Sequence, residues 1–368
     1  MWQLAIRRAR NLAGTRLAAS GVRGTLRAWP HRGATRAIAA MSYMGLFLVV
    51  VGLHMVVQLW LMRRQLRHVQ AHRNTVPAAL QGRISAEAHA KAADYTCAHT
   101  RLARLRLVVG IALLLAWTLG GGLQAVNQLL LQAFGGDAAG RLAYPILLLA
   151  MVTVLTGLLD LPFEWYSTFR IEQRFGFNRM AQGLWARDQA LTLVLALVIE
   201  LPLLAVVVWL MDVAGAAWWL WAFAVWSLFT LLLMFIYPQF IAPLFNEFKP
   251  LQDESLRARV DALLHRSGFS SRGFFVMDGS KRSAESNAYL TGLGHAKRVV
   301  FYDTLLEQLS PAEVEAVLAH ELGHYHHRHL PKTLLQLFAL SLVGFAALGW
   351  LSGQPQFFLA LGVTPNVA

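Results

Sequence analysis

The amino-acid sequence predicts a mainly α-helical polytopic membrane protein with about six spans and a small α+β domain between the fifth span and the sixth. Three observations carry that prediction. Hydrophobic residues make up 56% of the chain and charged residues only 14%, too apolar for an ordinary soluble domain. Six apolar runs come close to or exceed the roughly 20 residues a helix needs to cross a bilayer. One stretch, about 246–332, returns to soluble composition and carries two histidines in an H-E-x-x-H pattern.

Charge is unevenly placed. Residues 1–86 hold thirteen arginines and no acidic residue, which accounts for the whole formal net charge of +13. With the remainder balanced, the basic excess argues for a lipid bilayer as partner and not for nucleic acid. Segment 1–40 lacks the apolar core of a secretory signal. It reads as a basic N-terminal extension, with the native start expected at Met41 or Met44. The single cysteine, Cys97, excludes an internal disulfide framework.

The elements follow in order. Span one, about 43–62, is followed at once by Arg63, Arg64, Arg67 and Arg73, which by the positive-inside rule marks a cytoplasmic end. The connection 65–106 is polar and helical in composition. Span two, about 107–131, contains Gly120-Gly121-Gly122 and leads to a short loop with Asp137 and Arg141. Span three, about 143–163, returns to a loop bearing Arg170, Arg174, Arg179 and Arg187. Spans four and five, about 191–211 and 217–237, are joined so closely that they form a hairpin. The alternation puts the next segment, the soluble domain, in the cytoplasm.

Within that domain, 253–267 reads as an amphipathic helix and 274–276, 287–290 and 298–302 as short strands. Ser310-Pro311-Ala312-Glu313 is a capping box with proline at the first helical position. Val314, Val317 and Leu318 continue it as an apolar stripe, and Pro331 is expected to kink or end the helix. Span six covers about 333–352. The resulting division is a basic extension (1–40), a membrane region with five spans (41–245), the soluble domain (246–332), and the last span with its tail (333–368).

The chemistry concentrates at the H-E-x-x-H pattern. Positions i and i+4 share a helix face, so His320 and His324 can direct two imidazoles at one Zn2+ ion at about 2.0 to 2.1 Å. Glu321 is then placed as a general base for the hydrolysis of a peptide or protein substrate. A small sheet ahead of this helix could hold that substrate in extended form along an exposed edge strand. His327 lies about 10 Å along the axis from His320, too far to share the ion. His326, His327 and His329 read as a solvated basic end of the helix.

Several motifs in a fixed order carry a resemblance. They are Ile171-Glu172-Gln173-Arg174-Phe175-Gly176-Phe177-Asn178, Tyr237-Pro238 with Ile241-Ala242-Pro243-Leu244-Phe245-Asn246, Ser286-Asn287-Ala288-Tyr289 with Gly292-Leu293-Gly294, and His320-Glu321-Leu322-Gly323-His324. Over about 41–361 the chain resembles the M48 membrane metallopeptidases of the Ste24, or CAAX prenyl protease 1, type. The resemblance implies a zinc endopeptidase whose membrane helices enclose a water-filled chamber, with the metal site on the cytoplasmic side. It implies His320 and His324 as ligands of one zinc ion, Glu321 as catalytic base, and Asn287, Ala288 and Tyr289 on the substrate-binding edge strand. Eukaryotic members remove the last three residues of prenylated CAAX proteins. The Arg- and Ala-rich sequence has a bacterial character, which points to the inner membrane and to CAAX-type processing or, in its place, membrane-protein quality control.

One departure matters. The family's third zinc ligand is a glutamate beyond a further membrane hairpin, in a motif of the form E-F-x-A-D, and no Asp or Glu follows Glu321 here. The seventh membrane helix is missing with it. The expectation is a fragment or truncated reading frame of a complete peptidase. The alternative is a catalytically impaired relative that acts as a non-catalytic membrane binding protein. Oligomeric state is not legible.

Overall fold

The computed structural model describes residues 30–134, 143–269, 271–292 and 297–363. The basic segment before 30, the loop with Asp137 and Arg141, and Leu293-Gly294 lie outside the described residues.

Helix α1 (Pro30–Ala71) begins inside the stretch expected to be an extension and passes without interruption through the first span to the arginine cluster. Ser85 starts α2 (Ala86–Trp117), its hydroxyl accepting the Ala88 N–H at 3.1 Å. The polar connection is therefore mostly helix. Arg73 closes the α1–α2 hairpin by donating to both carboxylate oxygens of Asp94 at 2.8 and 2.7 Å. The second span is broken where one helix was expected: α3 (Gly122–Phe134) leaves α2 at 51°. Three consecutive glycines are poor helix formers, and Gly121 takes φ +79°, a conformation that favours glycine.

Helices α4 (Ala143–Tyr166), α5 (Gln182–Val213) and α6 (Trp218–Ile236) follow. Both α4 and α6 run on into a π-helical turn, at Ser167–Glu172 and Tyr237–Ile241. The first turn runs into the motif that begins at Ile171 and the second starts the one at Tyr237, so the expected loop after span three is largely helical up to Phe175, where Gly176 at φ +82° stops it.

A four-stranded sheet forms the frame of the soluble domain. Its strands β1 (Phe248–Pro250), β2 (Phe274–Met277), β3 (Ala288–Thr291) and β4 (Arg298–Tyr302) stand in the order β1-β2-β4-β3. β2 and β4 are parallel, and β1 and β3 run antiparallel to them as edges. Sequence periodicity points to three of these strands. β1 escapes it because it is three residues long and ends in proline, which an edge tolerates. Helices α7 (Glu254–Arg266), α8 (Asp303–Gln308) and α9 (Pro311–His326) pack on the sheet. Their core holds Val260, Val299, Phe301 and Leu318 at 0% exposure.

Helix α10 (His329–Ser352) then re-enters the apolar region, and α11 (Pro355–Ala360) follows it. The break before α10 falls at His327–Arg328, not at Pro331. Arg328 adopts φ 53°, and Pro331 sits in the first turn of the new helix, where an N–H has no intrahelical partner to lose. Among the described residues five helices are long and apolar enough to cross a membrane, or six with the bent pair counted as one span. They expose Val49, Leu228, Leu340 and Val343, the surface that lipid covers in an integral membrane protein.

The soluble domain is clamped to the membrane helices. Arg282 donates to Asp188 of α5 through Nε at 2.8 Å and a terminal nitrogen at 3.2 Å, and to Asn246 Oδ1 at 3.1 Å. Beside it, the Arg179 N–H donates to the Arg282 carbonyl at 3.1 Å and the Ala284 N–H to the Phe177 carbonyl at 2.8 Å.

Candidate metal centre

The capping box holds the start of α9. Glu313 accepts the Ser310 N–H at 2.8 Å and the Ser310 hydroxyl at 2.7 Å, and these bonds hold its carboxyl below the usual range. Val314, Leu318 and Leu322, spaced by four, are 1%, 0% and 4% exposed. Burial of that face fixes the rotation of the helix about its axis. His320 and His324 are thereby left exposed, with Glu321 half-buried between the two faces.

The Nε2 atoms of His320 and His324 stand 3.3 Å apart. Two nitrogens bound tetrahedrally at about 2.0 to 2.1 Å from one zinc ion must lie about 3.3 to 3.4 Å apart. The pair therefore fits one edge of a tetrahedral zinc site. Among the described residues no group of three or more His, Cys, Asp or Glu is arranged to hold a metal.

Glu321 and His324 open onto a cavity of about 750 Å³ whose other wall includes Leu290, Thr291, Gly292 and Lys297. Lys297 is held there by Tyr325, whose hydroxyl accepts from Nζ at 2.6 Å, and lies 4.8 Å from the centroid of the Phe269 ring. A second cavity of about 440 Å³ shares Leu290, Thr291, Gly292 and Leu330 and is walled by Thr230, Met234 and Tyr237, so β3 borders both the metal-side cleft and the membrane helices.

β3 pairs with β4 alone among the strands described. The Tyr302 N–H donates to the Asn287 carbonyl at 3.0 Å. Hydrogen-bonded pairs alternate along an antiparallel ladder, so Tyr289 and Thr291 also bond to β4. Ala288 and Leu290 turn their N–H and C=O groups to the free edge. The Asn287 side chain already accepts the Ala288 N–H at 2.8 Å. The Ala288 methyl is buried at 2% exposure. Tyr289 is half-buried against Tyr302, and burial pushes its phenol up to about 12. The strand residues that line the cavity beside Glu321 and His324 are Leu290 and Thr291, one and two positions beyond Tyr289, with Gly292 following them.

His329 differs from expectation. The sequence places it in a solvated helix end pointing away, yet its Nδ1 lies 2.7 Å from His324 Nδ1. Five residues on an unbroken helix rotate about 500°, leaving two side chains about 140° apart. The left-handed Arg328 removes that constraint. His327 stacks on His329 at 5.8 Å between ring centroids, and His326 meets His327 at 5.5 Å.

The chain resembles known proteins over most of its length. Residues 65–247 match the family described as CAAX prenyl protease N-terminal, five membrane helices, and residues 250–362 match peptidase family M48. A CAAX prenyl protease 1 homolog of Arabidopsis thaliana is 33% identical over 85% of this chain and 75% of its own length. CAAX prenyl protease 1 of Saccharomyces cerevisiae is 40% identical over 51% of this chain and 42% of its own. The crystal structure of S. mikatae Ste24p superposes with a TM-score of 0.79 at 28% identity, covering 86% of this chain and 73% of that one. With both halves matched in order and the fold shared, the chain belongs to the M48 family of membrane metallopeptidases, in the group that includes CAAX prenyl protease 1.

Proposed function

We propose that this chain is the body of a membrane-embedded zinc metalloendopeptidase that hydrolyses peptide bonds, with His320 and His324 as zinc ligands and Glu321 as general base. The observation that carries it is the 3.3 Å separation of the two Nε2 atoms on a helix whose buried face leaves both imidazoles exposed. Zinc, when bound, acidifies a coordinated water and polarises a carbonyl. Glu321, adjacent to His320 and facing the cavity, takes the proton from the attacking water and passes it to the leaving amine. The free edge of β3, from Asn287, Ala288 and Tyr289 on to Thr291, holds the substrate as an added strand. Leu290 offers its N–H and C=O directly. A peptide that pairs at Ala288 must first displace the Asn287 side-chain amide.

The substrate in this reading is a peptide or protein presented at the membrane, because the cleft is continuous with the walls of α6 through Leu290–Gly292. The relatives' name, CAAX prenyl protease, supports C-terminal CAAX processing, to which membrane-protein quality control is the alternative. The soluble domain docks on the end of the helices where Arg174, Arg179 and Arg187 cluster, which supports a cytoplasmic active face, in a bacterium at the inner membrane.

Replacing Glu321 tests the reading. Glu321→Ala should abolish cleavage of a membrane-presented peptide while zinc content stays at the level of the parent. Cleavage that persists, or zinc lost together with activity, would sink the assignment of Glu321 as base.

A further inference from the structure

His324 is approached at both ring nitrogens. On one side Nε2 faces His320 Nε2 at 3.3 Å; on the other, Nδ1 faces His329 Nδ1 at 2.7 Å. The rings of His324 and His329 meet edge to face, 4.9 Å between centroids at 69°. A neutral imidazole carries one N–H, and the nitrogen that bears it cannot donate a lone pair. For His324 Nε2 to converge with His320 Nε2 on a metal, its proton must sit on Nδ1. One acceptor lies there among the described residues, and it is His329 Nδ1.

We propose that His329 is a positioning residue that accepts the His324 Nδ1–H and so fixes both the tautomer and the ring orientation in which Nε2 is offered to zinc. It is not a third ligand, since it contacts the nitrogen of His324 that points away from His320. The break at His327–Arg328 exists for the same contact. Arg328, at φ 53°, is the only described non-glycine residue with positive φ, a conformation uncommon for any residue with a Cβ. It ends α9 and lets α10 begin with His329 against the face that an unbroken helix would turn away. An acceptor behind a ligating histidine typically raises metal affinity 10- to 100-fold.

The inference rests on reading His320 and His324 as the zinc pair, and the experiment separates the two. It uses the full chain in detergent, with zinc affinity measured against a competing chelator for the parent, His329→Ala, His329→Asn and His320→Ala/His324→Ala. The nitrogen-15 signals of His324 are recorded in metal-free parent and His329→Ala. The expected result is a 10- to 100-fold loss of affinity in His329→Ala, recovered largely by His329→Asn, whose side-chain carbonyl can accept the same hydrogen bond. Metal-free His324 should be the Nδ1–H tautomer in the parent and a mixture in His329→Ala. Unchanged affinity in His329→Ala, equal losses in the Ala and Asn variants, or a parent His324 protonated on Nε2 each overturn the role of His329. Zinc retained by the double variant overturns the ligand assignment instead, while the tautomer signals still decide whether His329 sets the state of His324.

Discussion

Arg282 shows how one side chain can join two environments. Its guanidinium and the Asp188 carboxylate are 17% and 12% exposed, and the pair is bidentate. Both charges have left water, so each depends on the other, and removing one partner of such a pair typically costs about 3–5 kcal/mol. Arg282→Ala should lower unfolding stability in detergent by about that amount. In a double-mutant cycle with Asp188→Ala the coupling should exceed about 1 kcal/mol. A coupling indistinguishable from zero would show that the clamp holds nothing. Arg187, 3.7 Å from Asp188, is the neighbour that could soften the loss.

At the scale of the element, α9 is set by its first turn and its buried face. The Ser310 hydroxyl and N–H hold the Glu313 carboxyl below its ordinary value of 4.5. A carboxyl whose folded-state value is depressed contributes stability that is complete above the unfolded value and disappears as pH falls through the folded one. Glu313→Gln should therefore unfold at a lower temperature than the parent at neutral pH. The two curves should converge as pH drops below about the ordinary glutamate range. A difference that stays constant from pH 7 to 3 would assign the effect to shape and not to charge. Asp253, which caps α7 by accepting the Ser255 and Leu256 N–H groups at 2.9 and 3.0 Å, is depressed by the same kind of bond. The first turns of α7 and α9 are thus both held by carboxylates, and acid should loosen them together.

The whole molecule places a peptidase domain on one end of a helix array, and the arginines mark which end. Cys97 is the only cysteine and is buried, so a single introduced thiol reports alone. Ser267, at the exposed end of α7, is suitable. If the positive-inside rule holds here, Ser267→Cys in intact cells should resist a membrane-impermeant maleimide and react fully once the membrane is opened. Labelling from outside in intact cells would reverse the proposed orientation. The membrane half and the soluble half are stabilised differently. The sheet domain buries its own core, whereas the most apolar stretches of the spans are 0–6% buried and depend on lipid.

The sequence by itself determined what local composition and short spacing determine: the apolar spans, the amphipathic α7, the capping box at Ser310, and two histidines four apart on one helix face. These follow from bilayer thickness, helix period and hydrogen-bond valence, which act within a few turns of chain. Only the tertiary structure decided what depends on where the chain bends. Gly121 split the second span, and Arg328 broke the helix after α9. The break at Arg328 brought His329 to His324 against the regular helical angle. Packing of β3 on β4 made Leu290 and Thr291, with Gly292 after them, the wall that faces Glu321, and docking on α5 paired Arg282 with Asp188 across 94 residues. A contact at that separation leaves no periodicity in the chain, because it is fixed by the burial of both faces at once.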